Sequence, residues 1–139
     1  MPSGARSNAK IGPVGEIGVA YQLVRRGWCV FAPLVSHNLM HFDLLAHRGG
    51  QIHRIQVKCT SKLERGTQRY GIMSSMGNYS KKKYTKKECD FIIASINPVE
   101  WYFVFPVEEV RVTTLRIPAN LPPDHRLNQY KDAWHLLGE

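Results

Sequence analysis

From Gly12 to Arg26 the apolar positions recur at helical spacing, with Ile17, Val19, Ala20, Leu23 and Val24 on one arc at about 100° per residue. Pro13 is tolerated in a first turn and Gly27 is a C-terminal stop, which predicts a helix over this span. Glu16 falls inside the arc. A carboxylate there either meets a cation or curls out to water from the first turn, where the helix dipole favours it.

Trp28 to Phe31 reads as a short strand and Pro33 to Met40 as a loop. His41–Arg48 and Gln51–Cys59 flank Gly49-Gly50, a strong hairpin signal, because two glycines supply the positive φ values of a two-residue turn. With Arg48 opposite Gln51, Asp43 lies across from Gln56, and side-chain alternation puts Arg54, Gln56 and Lys58 on one face. Gln68–Met73 is a further candidate strand, and Ser74–Lys87 reads as a mobile surface loop. Phe91–Ile96 and Trp101–Phe105 are apolar β-rich runs across an Asn97-Pro98 turn. Val107–Val110 reads as one helical turn and Arg111–Ile117 as an edge strand. Leu127, Tyr130, Trp134 and Leu137 follow at helical spacings, predicting a C-terminal helix over about 123–137 that docks on the body or on a second subunit. These elements make an α/β domain with a central mixed sheet flanked by helices, and 139 residues suit a single domain over 1–139.

Charge changes the picture from fold to partner. The net charge of +8 is uneven: residues 1–57 carry +4, residues 58–87 carry +8 and residues 88–139 carry −4. In the middle stretch Lys58, Lys62, Arg65, Arg69, Lys81, Lys82, Lys83, Lys86 and Lys87 are interleaved with Tyr70, Tyr79 and Tyr84. This is the footprint of a polyanion-binding surface, or else a loop that lysines keep solvated. No apolar run of 18 residues exists, so a membrane partner is not expected. The start MPSGARSNAK lacks an apolar signal core, and three cysteines without metal or disulfide spacing suit a reducing compartment, so a cytoplasmic protein is expected.

Asp43, Gln56 and Lys58 on one hairpin face, beside a helix offering Glu16, suit phosphodiester hydrolysis. A hard divalent cation takes oxygen ligands, here Asp43 and the Val57 backbone carbonyl, and a lysine near the attacked phosphate stabilises charge or moves a proton. Gln56 can coordinate through its amide oxygen or orient a water, but it cannot act as a carboxylate base.

A helix with a Glu, then Asp43, then a hairpin to Gln56-Val57-Lys58 resembles the PD-(D/E)XK nuclease superfamily, in a variant with Gln in place of the last acidic residue. RIQVKCTSK, with GEIGVAYQLVRRGW before it and ECDFIIASI after it, is similar to homing endonucleases of cyanobacterial group I introns and more distantly to archaeal Holliday-junction resolvases. The resemblance covers about residues 10–110. It implies a restriction-endonuclease-like fold and a catalytic set of Glu16, Asp43, Gln56 and Lys58. It also implies Mg²⁺, with Mn²⁺ as a substitute, held by Asp43, Glu16 and Val57. Residue 42 is Phe rather than Pro, and Asp90 stands where the intron enzymes also carry an Asp.

Duplex DNA is then expected to lie across Lys62, Arg65, Arg69, Lys81, Lys82, Lys83, Tyr84, Lys86 and Lys87. Cutting both strands takes two sites, so a dimer or tetramer is expected. The rival readings are a junction resolvase with the same site and a DNA-binding module that has lost catalysis. His37 and His41 are expected as ordinary surface histidines, and Trp101 and Trp134 as core or subunit interface rather than base wedges.

Overall fold

The computed structural model describes residues 11–35, 40–76, 82–97 and 99–138. Helix α1 spans Ile11–Val24, and the strands are β1 (Cys29–Phe31), β2 (Leu44–Arg48), β3 (Gln51–Thr60), β4 (Arg69–Met73), β5 (Phe91–Ile96), β6 (Trp101–Pro106) and β7 (Thr114–Pro118). Five strands form a mixed sheet in the order β1-β2-β3-β5-β6, in which only β3 and β5 run parallel; β4 and β7 pair as a separate antiparallel ribbon.

The hairpin register is the expected one. Arg48 pairs with Gln51 and Leu44 with Ile55, across a turn whose glycines take φ of +54° and +83°. Strand β5 joins β3 in parallel, and all six of its residues are buried. An apolar run without alternation fits a strand covered on both faces.

One face carries Leu44, Ala46, Ile55, Val57, Ile93 and Val104 under Val19 and Leu23 of α1. The buried line of the helix is Gly15, Val19 and Leu23, so the expected arc is corrected: Ile17 is 70% exposed and Val24 57%. The N-terminal member of the line is a glycine because a Cβ at residue 15 would stand 2.8 Å from the Cys59 Cβ. Gly15 therefore brings the helix backbone down onto β3 and sets Glu16 at the rim of the sheet, half-buried.

The opposite face, with Ile92, Ala94, Ile96, Phe103 and Phe105, is covered by the β4–β7 ribbon and by Tyr84, Cys89 and Leu127. Burying each large side chain of this kind contributes about 1.5–3 kcal/mol. Helices thus do not flank both faces: among the described residues α1 is the one α-helix, and the ribbon replaces the second layer. The edge strand expected at Arg111–Ile117 begins at Thr114 and pairs in that ribbon instead.

The C-terminal helix expected over 123–137 is also corrected. Two 3-10 turns, Arg126–Gln129 and Trp134–Leu137, stand there. Between them the backbone pairs with the free edge of β6, Val104 N–H donating to the Tyr130 carbonyl at 2.8 Å and Asp132 N–H to the Tyr102 carbonyl at 2.8 Å. An edge strand needs its ladder groups satisfied, and a continuous helix would have left β6 bare. Leu127, Trp134 and Leu137 are buried within the chain, so this stripe docks on the body and is not available to a second subunit. No helix among the described residues is long and apolar enough to cross a membrane.

Candidate active site

Asp43 sits immediately before β2, where its N–H donates to the Ile55 carbonyl at 2.8 Å, one residue short of the Gln56 that the hairpin register would place opposite it. Its carboxylate turns to the β3 face that carries Gln56. There Oδ2 accepts two hydrogen bonds, from Gln56 Nε2 at 2.8 Å and from the Val57 backbone N–H at 2.8 Å. Gln56 Nε2 also reaches the Val57 carbonyl at 3.3 Å. The amide is therefore a brace for Asp43. A second carboxylate at position 56 would bring two anions into contact at this spot, whereas the amide supplies a donor.

Asp43 and Glu16 line one concavity of about 290 Å³, closed by Ala32, Pro33, Val35 and Phe42. The helix and the hairpin thus bring both carboxylates to one hollow. The oxygen donors of this hollow, the two carboxylates, are hard; Val57 does not line it, and its carbonyl accepts from Gln56 Nε2 at 3.3 Å. Among the described residues no three His, Cys, Asp or Glu side chains converge. That donor chemistry fits a cation of the Mg²⁺ type, which keeps several waters and takes one or two carboxylates, and it does not fit zinc.

Lys58, two residues past Gln56 and on the same face, has its Nζ 5.1 Å from the centroid of the Tyr84 ring. Burial pulls the Lys58 pKa below its ordinary value, with the Asp43 charge pulling the other way. Tyr84 is only 8% exposed, and burial, reinforced by Asp43, pushes its phenol up to about 12. The ring is the floor beneath the lysine and is not open for stacking on a base, which corrects its assignment to the DNA-binding set. The segment around it is not a freely solvated loop either. Ser74, Ser75 and Met76 are buried, and Met76 N–H donates to the Lys82 carbonyl at 2.9 Å.

Arg54 and Asp90 fix the far end of that segment. Arg54 Nη2 lies 3.1 Å from Asp90 Oδ1, its Nε 3.2 Å from Oδ2, and its backbone N–H donates to Oδ2 at 2.7 Å. The same guanidinium donates to the carbonyls of Lys86 and Lys87. Burial pushes the Asp90 carboxyl up, but the hydrogen bonds and charge of Arg54 outweigh it and hold the group below its ordinary value. Asp90 is thus a latch between the lysine segment and the start of β5.

A family model described as PD-(D/E)XK endonuclease matches residues 7–137. The chain belongs to the PD-(D/E)XK endonuclease family. The match runs through the C-terminal turns, so the family domain extends beyond the 10–110 expected. Among solved structures the chain matches one titled as a bacterial homing endonuclease, I-Ssp6803I, with a TM-score of 0.73 and 23% identity over 91% of this chain and 87% of that one. At that identity the likeness speaks for the fold. No curated protein matches.

In this PD-(D/E)XK endonuclease the hairpin brings Gln56 against Asp43, with Lys58 on the same strand face, and α1 brings Glu16 to the hollow that Asp43 lines and that Gln56 and Lys58 do not. Lys62, Arg65, Arg69, Lys82, Lys83, Lys86 and Lys87 are exposed, Arg69 with Glu64 at 4.0 Å and Lys86 with Glu108 at 3.5 Å. Lys81, His37 and Tyr79 lie outside the described residues; His41 is exposed and Trp134 is core. The Tyr84 floor and the Arg54 latch were missed. Their only sequence signal was an aromatic inside a lysine run and an arginine on the face of Gln56 and Lys58.

Proposed function

We propose that this endonuclease hydrolyses phosphodiester bonds in double-stranded DNA with Mg²⁺, for which Mn²⁺ can substitute, as one nuclease domain over 1–139. By analogy with the bacterial homing endonuclease whose fold it shares, the cut is made at a defined sequence. The observation that carries the reading is the Asp43 carboxylate held at Oδ2 by Gln56 and the Val57 N–H, beside Lys58 on its aromatic floor.

Asp43, Glu16 and the Val57 carbonyl would hold the cation. When bound, it supplies Lewis-acid polarisation of the phosphoryl oxygen and a more acidic water. Gln56 keeps the Asp43 carboxylate aimed into the hollow. Lys58 presents its ammonium to a non-bridging oxygen, where charge grows in the transition state, and a lowered pKa makes proton exchange with water easier at neutral pH. Exposed Lys62, Arg65, Lys82, Lys83, Lys86 and Lys87 hold the duplex through its phosphates.

Cleavage of both strands needs two copies of this site, so the active species is a homo-oligomer, a dimer or a dimer of dimers. With the C-terminal stripe buried, a regular apolar seam open to a second copy is the outer line of α1, one of several exposed apolar stretches that also include Phe31, Leu34 and Val35. Val14, Ile17, Tyr21 and Val24 are spaced three, four and three apart and all exposed, a seam that packs against its own copy.

Plasmid nicking tests the site. Cleavage with Mg²⁺ is expected to stop in EDTA and to fall at least a hundredfold, on the order of a lost transition-state contact, in Asp43→Ala and Lys58→Ala. Cleavage that survives both substitutions refutes this site. Preference for a four-way junction over linear duplex selects the resolvase, and duplex binding without cleavage selects the binding module.

A further inference from the structure

Beyond the lysine segment the molecule carries a second cationic surface that the linear charge distribution hides. Residues 88–139 sum to −4, yet three of the four cations in that stretch, Arg111, Arg116 and Arg126, converge with Arg69 around one groove of about 470 Å³ between the β4–β7 ribbon and the first C-terminal 3-10 turn. All four arginines are exposed. Two are partly neutralised by Glu64, which lies 3.2 Å from Arg116 and 4.0 Å from Arg69. Among the described residues no carboxylate pairs with Arg111 or Arg126. Glu109, the one acidic residue of the groove wall, accepts the Tyr130 hydroxyl at 2.9 Å.

The groove is continuous with the lysine segment. Arg111 also lines the neighbouring hollow of about 270 Å³, whose other walls include Lys83, Tyr84, Lys86 and Glu108, the last 3.5 Å from Lys86. Tyr84 in turn lies beneath Lys58. A cationic track therefore runs from the catalytic lysine over Lys83 and Lys86 to Arg111 and into the arginine groove. Like-charged arginines crowded on one open surface repel one another, and the guanidinium fork matches phosphate oxygens in geometry and charge.

We infer that the arginine groove is a second DNA-contacting surface, which takes backbone phosphates of the duplex to one side of the cut through Arg111 and Arg126. The inference rests on the reading of the protein as a DNA endonuclease. It adds an anchor that fixes the direction in which the duplex leaves the site, made of phosphate contacts that position the DNA without reading its sequence.

Fluorescence anisotropy on a random-sequence duplex of about 40 base pairs, in EDTA so that nothing is cut, tests it through the dependence of log affinity on log salt. Each phosphate contact contributes about 0.9 to the slope, so Arg111→Gln/Arg126→Gln is expected to flatten it by about 2 and to weaken binding on the order of tenfold to a hundredfold at about 0.1 M salt. Arg111→Lys/Arg126→Lys is expected to keep most of the slope. Glu109→Gln, which leaves Tyr130 an acceptor, is expected to tighten binding, an effect of opposite sign that damage to the fold cannot imitate. An unchanged slope in Arg111→Gln/Arg126→Gln, with wild-type protein binding the duplex, overturns the groove alone. Failure of the wild-type protein to bind the duplex overturns the endonuclease reading and the groove together.

Discussion

Replacing Asp90 by Asn tests the latch that ties the lysine segment to the sheet. The substitution keeps size and one acceptor, so the Arg54 backbone N–H can stay bonded, but it removes the charge from the two guanidinium contacts at 3.1 and 3.2 Å and turns donors towards donors. Net contributions of hydrogen bonds to charged groups are about 1.5–3 kcal/mol each. The two side chains are 31% and 23% exposed, so solvent screening reduces both, and about 2 kcal/mol in total is a reasonable loss. With an unfolding entropy of about 2.1 cal/mol/K per residue, a chain of this length loses about 7 °C of melting temperature. The pH dependence fixes the cause. Asp90 is held below its ordinary value in the fold, so its contribution is complete above the unfolded carboxyl value of about 4 and is lost as pH falls through the lower, folded one. Calorimetric melting of wild-type and Asp90→Asn protein from pH 7 down to about pH 3 should therefore show a gap of about 7 °C that narrows below about pH 4, where the unfolded wild-type side chain takes up its proton first and the folded one follows at lower pH. A gap that is absent at pH 7, or that persists unreduced at the acid end, refutes the charge-based latch. A gap present at both ends would mean that Asn fails by shape.

Further expectations follow from the same geometry. Tyr84→Phe keeps the ring under Lys58 and is expected to retain cleavage within about twofold, while Tyr84→Leu, losing about 1–2 kcal/mol of cation–π contact, is expected to lower kcat about five- to thirtyfold with little change in DNA affinity; equal loss in both variants would assign the role to the hydroxyl. Gly15→Ala places a Cβ 2.8 Å from the Cys59 Cβ, so α1 must lift from β3. Its overpacking cost of about 1–3 kcal/mol outweighs the helix propensity that Ala gains, and thermal melting should show a net loss, with cleavage falling further as Glu16 is displaced. Ile17→Asp/Tyr21→Asp is expected to yield a monomer by light scattering, with nicking retained and double-strand cleavage lost; an unchanged oligomer would move the interface off α1.

The parts of the molecule that could be read from the chain are those in which a local rule fixes a long-range outcome. Gly49-Gly50 can close only a tight turn, and one paired position then determines every other. Asp43 was thus legible as the partner of Gln56, although the two are thirteen residues apart. Helix α1 shows the opposite case. It carries two apolar lines, Gly15/Val19/Leu23 and Val14/Ile17/Tyr21/Val24, and the arc of Ile17, Val19, Ala20, Leu23 and Val24 given by periodicity takes members of both. The sheet buries only the first, because a glycine lets two backbones approach and a hydrophobicity count assigns that no value. At the C-terminus, Leu127, Tyr130, Trp134 and Leu137 satisfy a helical spacing, but spacing carries no information about the bare edge of β6. Pairing with that edge breaks the segment into two turns, with Asp132 at φ +50° between them.

The same distinction governs charge. A sum over neighbouring residues measures a surface only where the segment lies along that surface, as 82–87 does. Arg111, Arg116 and Arg126 are separated along the chain by acidic and apolar stretches and come together with Arg69 because β7 pairs with β4 and the following turn folds back on the ribbon. A segment with a net charge of −4 thus supplies three-quarters of a cationic groove. If that groove holds DNA, the acidic residues of the same segment must face elsewhere. Glu100 and Asp132, at the far end of β6 and in the edge cover, do so, whereas Glu108 is paired with Lys86 in the adjoining hollow and Glu109 lines the groove itself, so Glu109 is the residue whose neutralisation should strengthen binding.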